Sequence, residues 1–349
     1  MIRSELEKFI GSDRLSVAEA MRKIDKNARG ILVLIDDKEQ LAGTLTDGDI
    51  RRFLLAGGKL EQRASLAAKK EPKSARTAEE ASRLYDAGNN FNAIPVIDGA
   101  GRLVDIYIRN KPEQRASLKI PVVINAGGKG TRLDPFTRIL PKPLIPIGDL
   151  PIIEHIMKRF IGYDCADFHI IVNYKRQLVK AYFYENETRY NITWHDEDKP
   201  LGTGGGLCLL RGKMTGTFFF SNCDNLLLAD YADILNFHRE QRNAVTMVCA
   251  YKTFPIPYGI VEMGENGRIE SAIREKPQMS FLTNTAIYVV EPEVLEDIED
   301  GVPIGFPDIV ERERQKGRRV AAYPVSEADW LDMGEFSELE KMRERLCVE

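Results

Sequence analysis

Residues 120–147 read Ile-Pro-Val-Val-Ile-Asn-Ala-Gly-Gly-Lys-Gly-Thr-Arg-Leu-Asp-Pro-Phe-Thr-Arg-Ile-Leu-Pro-Lys-Pro-Leu-Ile-Pro-Ile. The opening apolar run predicts a buried strand. It empties into Gly127, Gly128 and Gly130, which leave backbone N–H groups bare and allow positive φ, so successive amides can converge on an anion. Lys129, Arg132 and Lys142 can then neutralise phosphate charge. A loop leaving the carboxyl end of a buried strand lies where open α/β sheets bind ligands, and this one is suited to a triphosphate.

Two common phosphate loops fail to fit. A Walker loop requires G-x-x-x-x-G-K-[ST], but Gly128-Lys129 is followed by Gly130; a dinucleotide fingerprint begun at Gly128 would need a glycine where Leu133 stands. The string G-G-x-G-T-R-L followed by P-K-P-L instead resembles the signature of the sugar-1-phosphate nucleotidyltransferases. That resemblance implies an α/β fold, a Rossmann-like mixed sheet of the GT-A-like kind. It implies that Ala126, Gly127, Gly128, Gly130 and Thr131 face a nucleotide and that Arg132 and Lys142 touch the triphosphate and reacting phosphates.

The rest of the chain sets bounds on this reading. Its 349 residues predict about two domains. A charged fraction of 29%, hydrophobics at 43% and a net charge of −4 describe a soluble globular protein with no global attraction to nucleic acid or anionic lipid. Apolar runs such as Ile31 to Ile35 fall far short of the ~18 residues of a membrane helix, and the start lacks a signal region. Cysteines 165, 208, 223, 249 and 347 are scattered without a C-x-x-C pair, as reduced cytoplasmic thiols are.

Residues 1–115 carry a weak internal repeat. Its first copy runs from the helix signal Ser16-Val-Ala-Glu-Ala, with Ser16 and Glu19 as a capping box, through strands at Gly30–Ile35 and Leu41–Leu45, to a helix start at Thr46-Asp-Gly-Asp. The second runs from Thr77-Ala-Glu-Glu-Ala through Ala93-Ile-Pro-Val-Ile and Arg102-Leu-Val-Asp-Ile-Tyr-Ile. This arrangement, with G-T-L-T-D-G-D-I-R-R at 43–52, resembles a tandem CBS domain, a regulatory module that often holds adenine nucleotides. The resemblance places a ribose on Thr46 and Asp49; a helix cap with an acidic first turn is the other reading of the same residues. The second copy lacks the G-x-x-T-D-x-D ending, so at most one full ribose site is expected. The polar stretch Lys111-Pro-Glu-Gln-Arg-Ala-Ser-Leu-Lys reads as a linker to a second domain at 116–349.

From Ile120 strand and helix signals alternate, which argues a mostly parallel sheet with helices on both faces. Nucleotidyl transfer needs charge and position rather than a covalent nucleophile, because the attacking oxygen already belongs to an ionised phosphate. Within the resemblance, Asp224 after the strand Thr217–Cys223 and Asp332 in Trp330-Leu-Asp-Met-Gly correspond to ligands for Mg2+, with Cys223 standing where glycine is usual. Leu201-Gly-Thr-Gly-Gly-Gly-Leu resembles the family's base-facing segment and assigns Gly202 and Thr203 to the nucleotide. Gly259, Glu275, Lys276, Asn284 and Thr285 correspond to sugar-pocket residues, Lys276 on the sugar phosphate, with Ala286 replacing a usual glycine. Asn125, a polar residue ending a buried strand, is open between a base contact and a loop contact.

The expected function is transfer of a nucleotidyl group from an NTP to a hexose 1-phosphate, releasing pyrophosphate. The pairing of modules resembles the glucosamine-1-phosphate guanylyltransferases of legionaminic acid synthesis, which favours GTP and glucosamine 1-phosphate. Mannose or heptose 1-phosphate with GTP, and glucose 1-phosphate with UTP or dTTP, remain alternatives, as does a non-catalytic nucleotide sensor. The resemblance also implies a homo-oligomer, with no nucleic-acid or membrane partner.

Overall fold

The computed structural model describes residues 6–27, 29–87, 93–108, 115–185, 190–271 and 273–346. Contacts divide the chain into two units, residues 1–113 with 326–328 and residues 114–325 with 329–349. The first unit contains β1 (Ile10–Ser12), α1 (Val17–Asn27), β2 (Ile31–Ile35), β3 (Leu41–Thr46), α2 (Asp47–Leu55), α3 (Ala78–Asp86), β4 (Ala93–Ile97) and β5 (Leu103–Ile108).

The repeat in the sequence is a repeat in space. β2 pairs antiparallel with β3 from Ile31↔Thr46 to Ile35↔Leu41, and β4 with β5 from Ala93↔Ile108 to Ile97↔Leu103, each irregular before its last pair. Counterparts in the two ribbons lie 62 positions apart, as Ile31 and Ala93 show. Their turns match as well: Asp36 Oδ1 accepts the N–H groups of Lys38 and Gln40, and Asp98 Oδ1 those of Ala100 and Arg102. The turns then pair with each other. Leu41 N–H donates to Gly101 O at 3.1 Å and Leu103 N–H to Glu39 O at 3.2 Å, the reciprocal bonds of a local twofold. Phe9, Ile31 and Val33 from one copy share a core with Ala93 and Ile106 from the other. Residues 111–114 of the expected linker lie outside the described residues. From 115 the chain is fastened rather than free, with Leu118 N–H donating to Tyr163 O at 2.9 Å.

The second unit continues with β6 (Val122–Asn125), α4 (Phe136–Ile139), β7 (Pro146–Ile147), β8 (Leu150–Pro151), α5 (Ile152–Ile161), β9 (Asp167–Val172), α6 (Arg176–Tyr184), β10 (Asn191–Asp196), β11 (Phe218–Asn222) and β12 (Asn225–Leu227). It ends with α7 (Tyr231–Gln241), β13 (Val245–Pro255), β14 (Gln278–Val290), α8 (Phe306–Gln315), β15 (Val320–Val325), β16 (Trp330–Asp332) and α9 (Phe336–Leu346). Seven strands form one sheet in the order β10-β9-β6-β11-β14-β13-β15. All neighbours are parallel except β14, which runs antiparallel to both β11 and β13. The sheet is therefore mixed, because β13 and β14 are joined by a ribbon that turns the chain straight back.

Both faces of this sheet are covered, which explains the near-continuous apolar strands. Val122, Ile124 and Phe219 face a core shared with α5, α7 and α9, while Val123, Phe218 and Phe220 face one shared with α8. Phe160 stacks on Tyr231 at 4.5 Å on the first face and Tyr288 on Phe306 at 3.7 Å on the second. Residues Gly205–Leu210 form a 3-10 helix. Three successive glycines favour an α-helix poorly, and close neighbours fill the space: a Cβ at Gly205 would lie 2.8 Å from Val302 O. No described helix is long and apolar enough to cross a membrane, and Cys165, Cys208, Cys223 and Cys249 are all buried and free. Cys347 lies outside the described residues.

Candidate active site

The glycine segment leaves β6 at the edge of the sheet where the parallel strands β6, β9 and β11 end. Of its three glycines only Gly130 takes a left-handed backbone, at φ 67°. A Cβ there would stand 3.0 Å from Thr137 and 3.1 Å from Lys142, so the loop folds tightly against the residues that follow it. Gly127 is buried beside Glu197, whereas Gly128 has nothing within 4 Å of its Cβ position and faces open space. Ala126 N–H donates to Ile171 O at 2.8 Å, and Thr131 opens a short turn, Thr131–Leu133.

Asn125 is a clip between loops. Its Nδ2 donates to Thr203 O at 3.3 Å and its Oδ1 accepts Gly127 N–H at 3.2 Å, so one amide joins the glycine segment to the loop at 201–206. That second loop is fixed further by Thr203 Oγ1, which accepts Phe306 N–H at 3.0 Å. Gly202 is left-handed, at φ 79°, and its Cβ position is 2.6 Å from Ile304 O; only glycine fits there.

Glu197 is the residue that sequence reasoning missed. It ends in the space between the two loops, with Oε2 3.0 Å from the Cβ position of Gly127 and Oε1 2.4 Å from that of Gly206. Its side chain is buried, and Oε1 has no hydrogen-bond partner in the described structure. Burial pushes this carboxyl up to about 7. In the sequence it sits inside His195-Asp-Glu-Asp, a run that looks like a solvated turn; the available signal was its place just after a strand and just before Leu201-Gly-Thr.

Lys142, Asp224 and Asp332 are brought together from three distant stretches. The Lys142 ammonium pairs with Asp224, both side chains about a tenth exposed. Asp224 Oδ1 accepts Asn225 Nδ2 at 2.8 Å, and Asn225 Oδ1 accepts Trp330 Nε1 at 2.9 Å, a relay that fixes the carboxylate's orientation. The β12–β16 pairing sets Asn225 opposite Asp332, and Met333 N–H donates to Asp224 O at 2.9 Å. Burial, then the charge of Asp224, pushes Asp332 up to about 6. Arg132 and Asp332 flank Gly334, whose Cβ position is 3.3 Å from Arg132 Nη1 and 3.0 Å from Asp332 Oδ2. Cys223 has no left-handed backbone, so its replacement of the usual glycine leaves the turn into Asp224 undistorted. Burial pushes its thiol up to about 12.

These residues fit a hard divalent cation. Two carboxylates, Asp224 and Asp332, offer hard oxygen ligands from neighbouring stretches, with the Lys142 ammonium and Arg132 guanidinium beside them. Among the described residues no group of three or more His, Cys, Asp and Glu side chains converges, so phosphate and water would have to supply the remaining ligands of such a cation.

The residues expected to line a sugar pocket divide into two groups. Gly259, Glu275 and Lys276 lie on the ribbon between β13 and β14, where Ile260 N–H donates to Arg274 O at 2.9 Å and Glu275 Oε1 stands 3.1 Å from the Cβ position of Gly259. Lys276 is left-handed, at φ 43°. Asn284 and Thr285 lie on β14 itself. Asn284 Nδ2 donates to Tyr288 Oη at 2.6 Å and its Oδ1 accepts Ala286 N–H at 2.9 Å; buried Thr285 donates to Val248 O at 2.8 Å. In the first unit, Thr46 and Asp49 cap α2 reciprocally: Thr46 Oγ1 donates to Asp49 Oδ2 at 2.6 Å and accepts Asp49 N–H at 3.2 Å.

Against known proteins, a family model described as "Nucleotidyl transferase" matches residues 121–348 and a CBS domain model matches residues 12–56. A mannose-1-phosphate guanyltransferase of Schizosaccharomyces pombe is 33% identical over 228 residues, 61% of this chain and 60% of that one. A mannose-1-phosphate guanylyltransferase of Mycobacterium tuberculosis is 32% identical over 229 residues, 63% of this chain and 62% of that one. The chain thus spans about 60% of the length of these relatives. Among solved structures, HddC from Yersinia pseudotuberculosis superposes with a TM-score of 0.52 at 20% identity, over 65% of this chain and 99% of that one. That likeness is one of fold.

Proposed function

This chain belongs to the nucleotidyl transferase family, and on that premise we propose that it transfers a guanylyl group from GTP to a hexose 1-phosphate, with mannose 1-phosphate the first candidate acceptor. The observation that supports this reading is the convergence of Lys142, Asp224 and Asp332, beside Arg132 of the glycine loop. A sugar-phosphate oxygen attacks the α-phosphorus in line, the bond to the β-phosphate breaks, and pyrophosphate leaves. Arg132 and the loop amides take the charge of the triphosphate, Lys142 exchanges Asp224 for the reacting phosphates, and Lys276 holds the sugar phosphate. Asp224 and Asp332 would hold Mg2+, which would supply positive charge against that of the phosphates.

Glu197 supports guanine as the base. Its unpartnered Oε1 is an acceptor between the two loops, and the guanine edge presents N1–H and the N2 amino group as donors side by side, whereas uracil and thymine present acceptors flanking one N–H. The names of the relatives support mannose. Glucosamine 1-phosphate is the second reading, favoured by the CBS module joined to the N-terminal side of this domain.

The test is pyrophosphate release with four NTPs against mannose, glucosamine, heptose and glucose 1-phosphates. GTP with mannose 1-phosphate is expected to lead. Failure of every pair would refute the enzymatic reading in favour of a nucleotide sensor. In Asp224→Asn, turnover is expected to fall at least ~10³-fold, the scale of losing a charge-stabilising group, with GTP still bound.

A further inference from the structure

We propose that Lys175 is a positioning residue for the triphosphate loop, an inference that rests on the nucleotide-binding reading above. Its Nζ donates to three backbone carbonyls, those of Thr137 at 3.4 Å, Arg138, and Ile139 at 2.8 Å. These belong to α4 and its end, the middle of the segment that runs from Gly130 and Arg132 to Lys142. An ammonium has three protons to donate, and the last carbonyls of a helix have no partners within it.

The neighbouring residue holds the other end of the same segment. Tyr174 N–H donates to Gly127 O at 3.4 Å, and Tyr174 Oη to Thr137 O at 3.3 Å. Thr137 in turn donates from Oγ1 to Gly130 O at 3.1 Å. Residues 174–175 therefore grip the loop before and after Arg132, and the second grip ends three residues before Lys142.

Lysine is a poor local choice at this position. Its backbone is left-handed, at φ 50°, where glycine and asparagine are the usual occupants. It is also the N-cap of α6, where Ser, Thr, Asp and Asn are preferred and a cation opposes the positive end of the helix dipole. A residue wrong for both its backbone and its helix is retained for something else, and the three carbonyls of the phosphate loop are what its side chain reaches. Lys180 on the same helix offers the contrast: it pairs with Asp196 at 2.8 Å and lies over the Trp194 ring.

The discriminating variant is Lys175→Asn in the full-length chain, since asparagine suits both the left-handed backbone and the N-cap. Thermal stability should stay equal or rise, while affinity for a fluorescent N-methylanthraniloyl GTP falls at least tenfold and the KM for GTP rises in step. The KM for the sugar 1-phosphate should hold, Lys175→Arg should recover part of the loss, and Lys180→Met should match wild type. Unchanged GTP affinity in Lys175→Asn, or a loss that follows a fall in Tm, overturns the proposal. The titration needs no acceptor: wild-type binding without turnover would refute the transferase reading and still decide Lys175, whereas no wild-type binding would refute both.

Discussion

The loops proposed to hold the nucleotide and the ribbon proposed to hold the sugar are built by opposite means. On the nucleotide side each loop is tied to another: Asn125 to Thr203 and Gly127, Thr203 to Phe306, Asn173 to Glu197 O at 2.9 Å. Glycines there face backbone at distances that no Cβ could accept. The ribbon at 256–277 stands away from the sheet, with Tyr258 75% and Met263 77% exposed, and is held by its own Ile260–Arg274 and Met263–Ile269 pairings. Phosphates and base are the same in every turnover, so a fixed backbone can read them. A projecting ribbon can change its side chains without disturbing a core, and that is where acceptor preference can vary within one fold.

Two glycines break or sustain this contrast most directly. Gly202→Ala puts a Cβ 2.6 Å from Ile304 O on a left-handed backbone. We expect a loss of about 3 kcal/mol, from the left-handed penalty of about 1–2 kcal/mol plus displaced backbone, read as a fall in the denaturation midpoint. Gly259→Ala meets the flexible end of Glu275 at 3.1 Å and Ile273 Cγ2 at an ordinary contact distance of 3.5 Å, so its midpoint should match wild type. Equal losses in the two would mean the ribbon is packed as firmly as the loops.

Glu197→Gln sharpens the same contrast through pH. An exposed glutamate ionises near 4.5 and this one near 7, so the unfolded chain releases its proton first. Its contribution to stability is present below pH 4.5, declines as pH rises through 7, and is then flat. The variant should gain about 3 kcal/mol over wild type at pH 8 and little at pH 4.5. His195, pushed down to about 4 by burial, works in the opposite direction as pH falls from 6.5, so the measurement is the difference between variant and wild-type midpoints. On the functional reading, the stabilised variant discriminates less well between GTP and UTP. A flat difference across this range would show that the carboxylate is not strained by its place under the loops.

Lys276→Met tests the ribbon itself. Losing one exposed cation from a phosphate is worth about 1.4 kcal/mol, roughly tenfold. The KM for the sugar 1-phosphate should rise by that factor with the KM for GTP and the midpoint unchanged. A rise in both KM values would mean that the two halves move together.

What was legible in the sequence follows the same division. The strand into the glycine segment, the strand before Asp224 and the capping boxes at Ser16 and Thr46 are local patterns, carried by neighbours in the chain. Long-range apposition left weaker traces. Asn125 finds its acceptors 77 and 78 residues away, Glu197 is hidden in a run of charges, and Lys175 is a lone lysine that local propensity argues against. The reversal of β14 was also illegible, because an apolar strand buried on both faces reads alike in either direction.

Ala286 lies where the two regions meet and carries the smallest expected effect. Between the pairs Asn284↔Cys249 and Tyr288↔Met247 the register of β14 against β13 is irregular, and Ala286 takes a left-handed backbone there, at φ 58°. Asn284 Oδ1 holds its N–H at 2.9 Å, which steadies a conformation that costs alanine about 1–2 kcal/mol. Glycine would remove that cost while adding about 0.4–1 kcal/mol of freedom to the unfolded chain, so Ala286→Gly should stabilise by about 0.5–1 kcal/mol. The methyl group also packs against the core shared with α8, and loss of that contact works the other way. A fall in the midpoint would show that packing outweighs backbone strain, making this bulge part of the rigid nucleotide half; a rise would assign it to the adaptable side, where Asn284 and Thr285 are aligned by a bulge the core does not require.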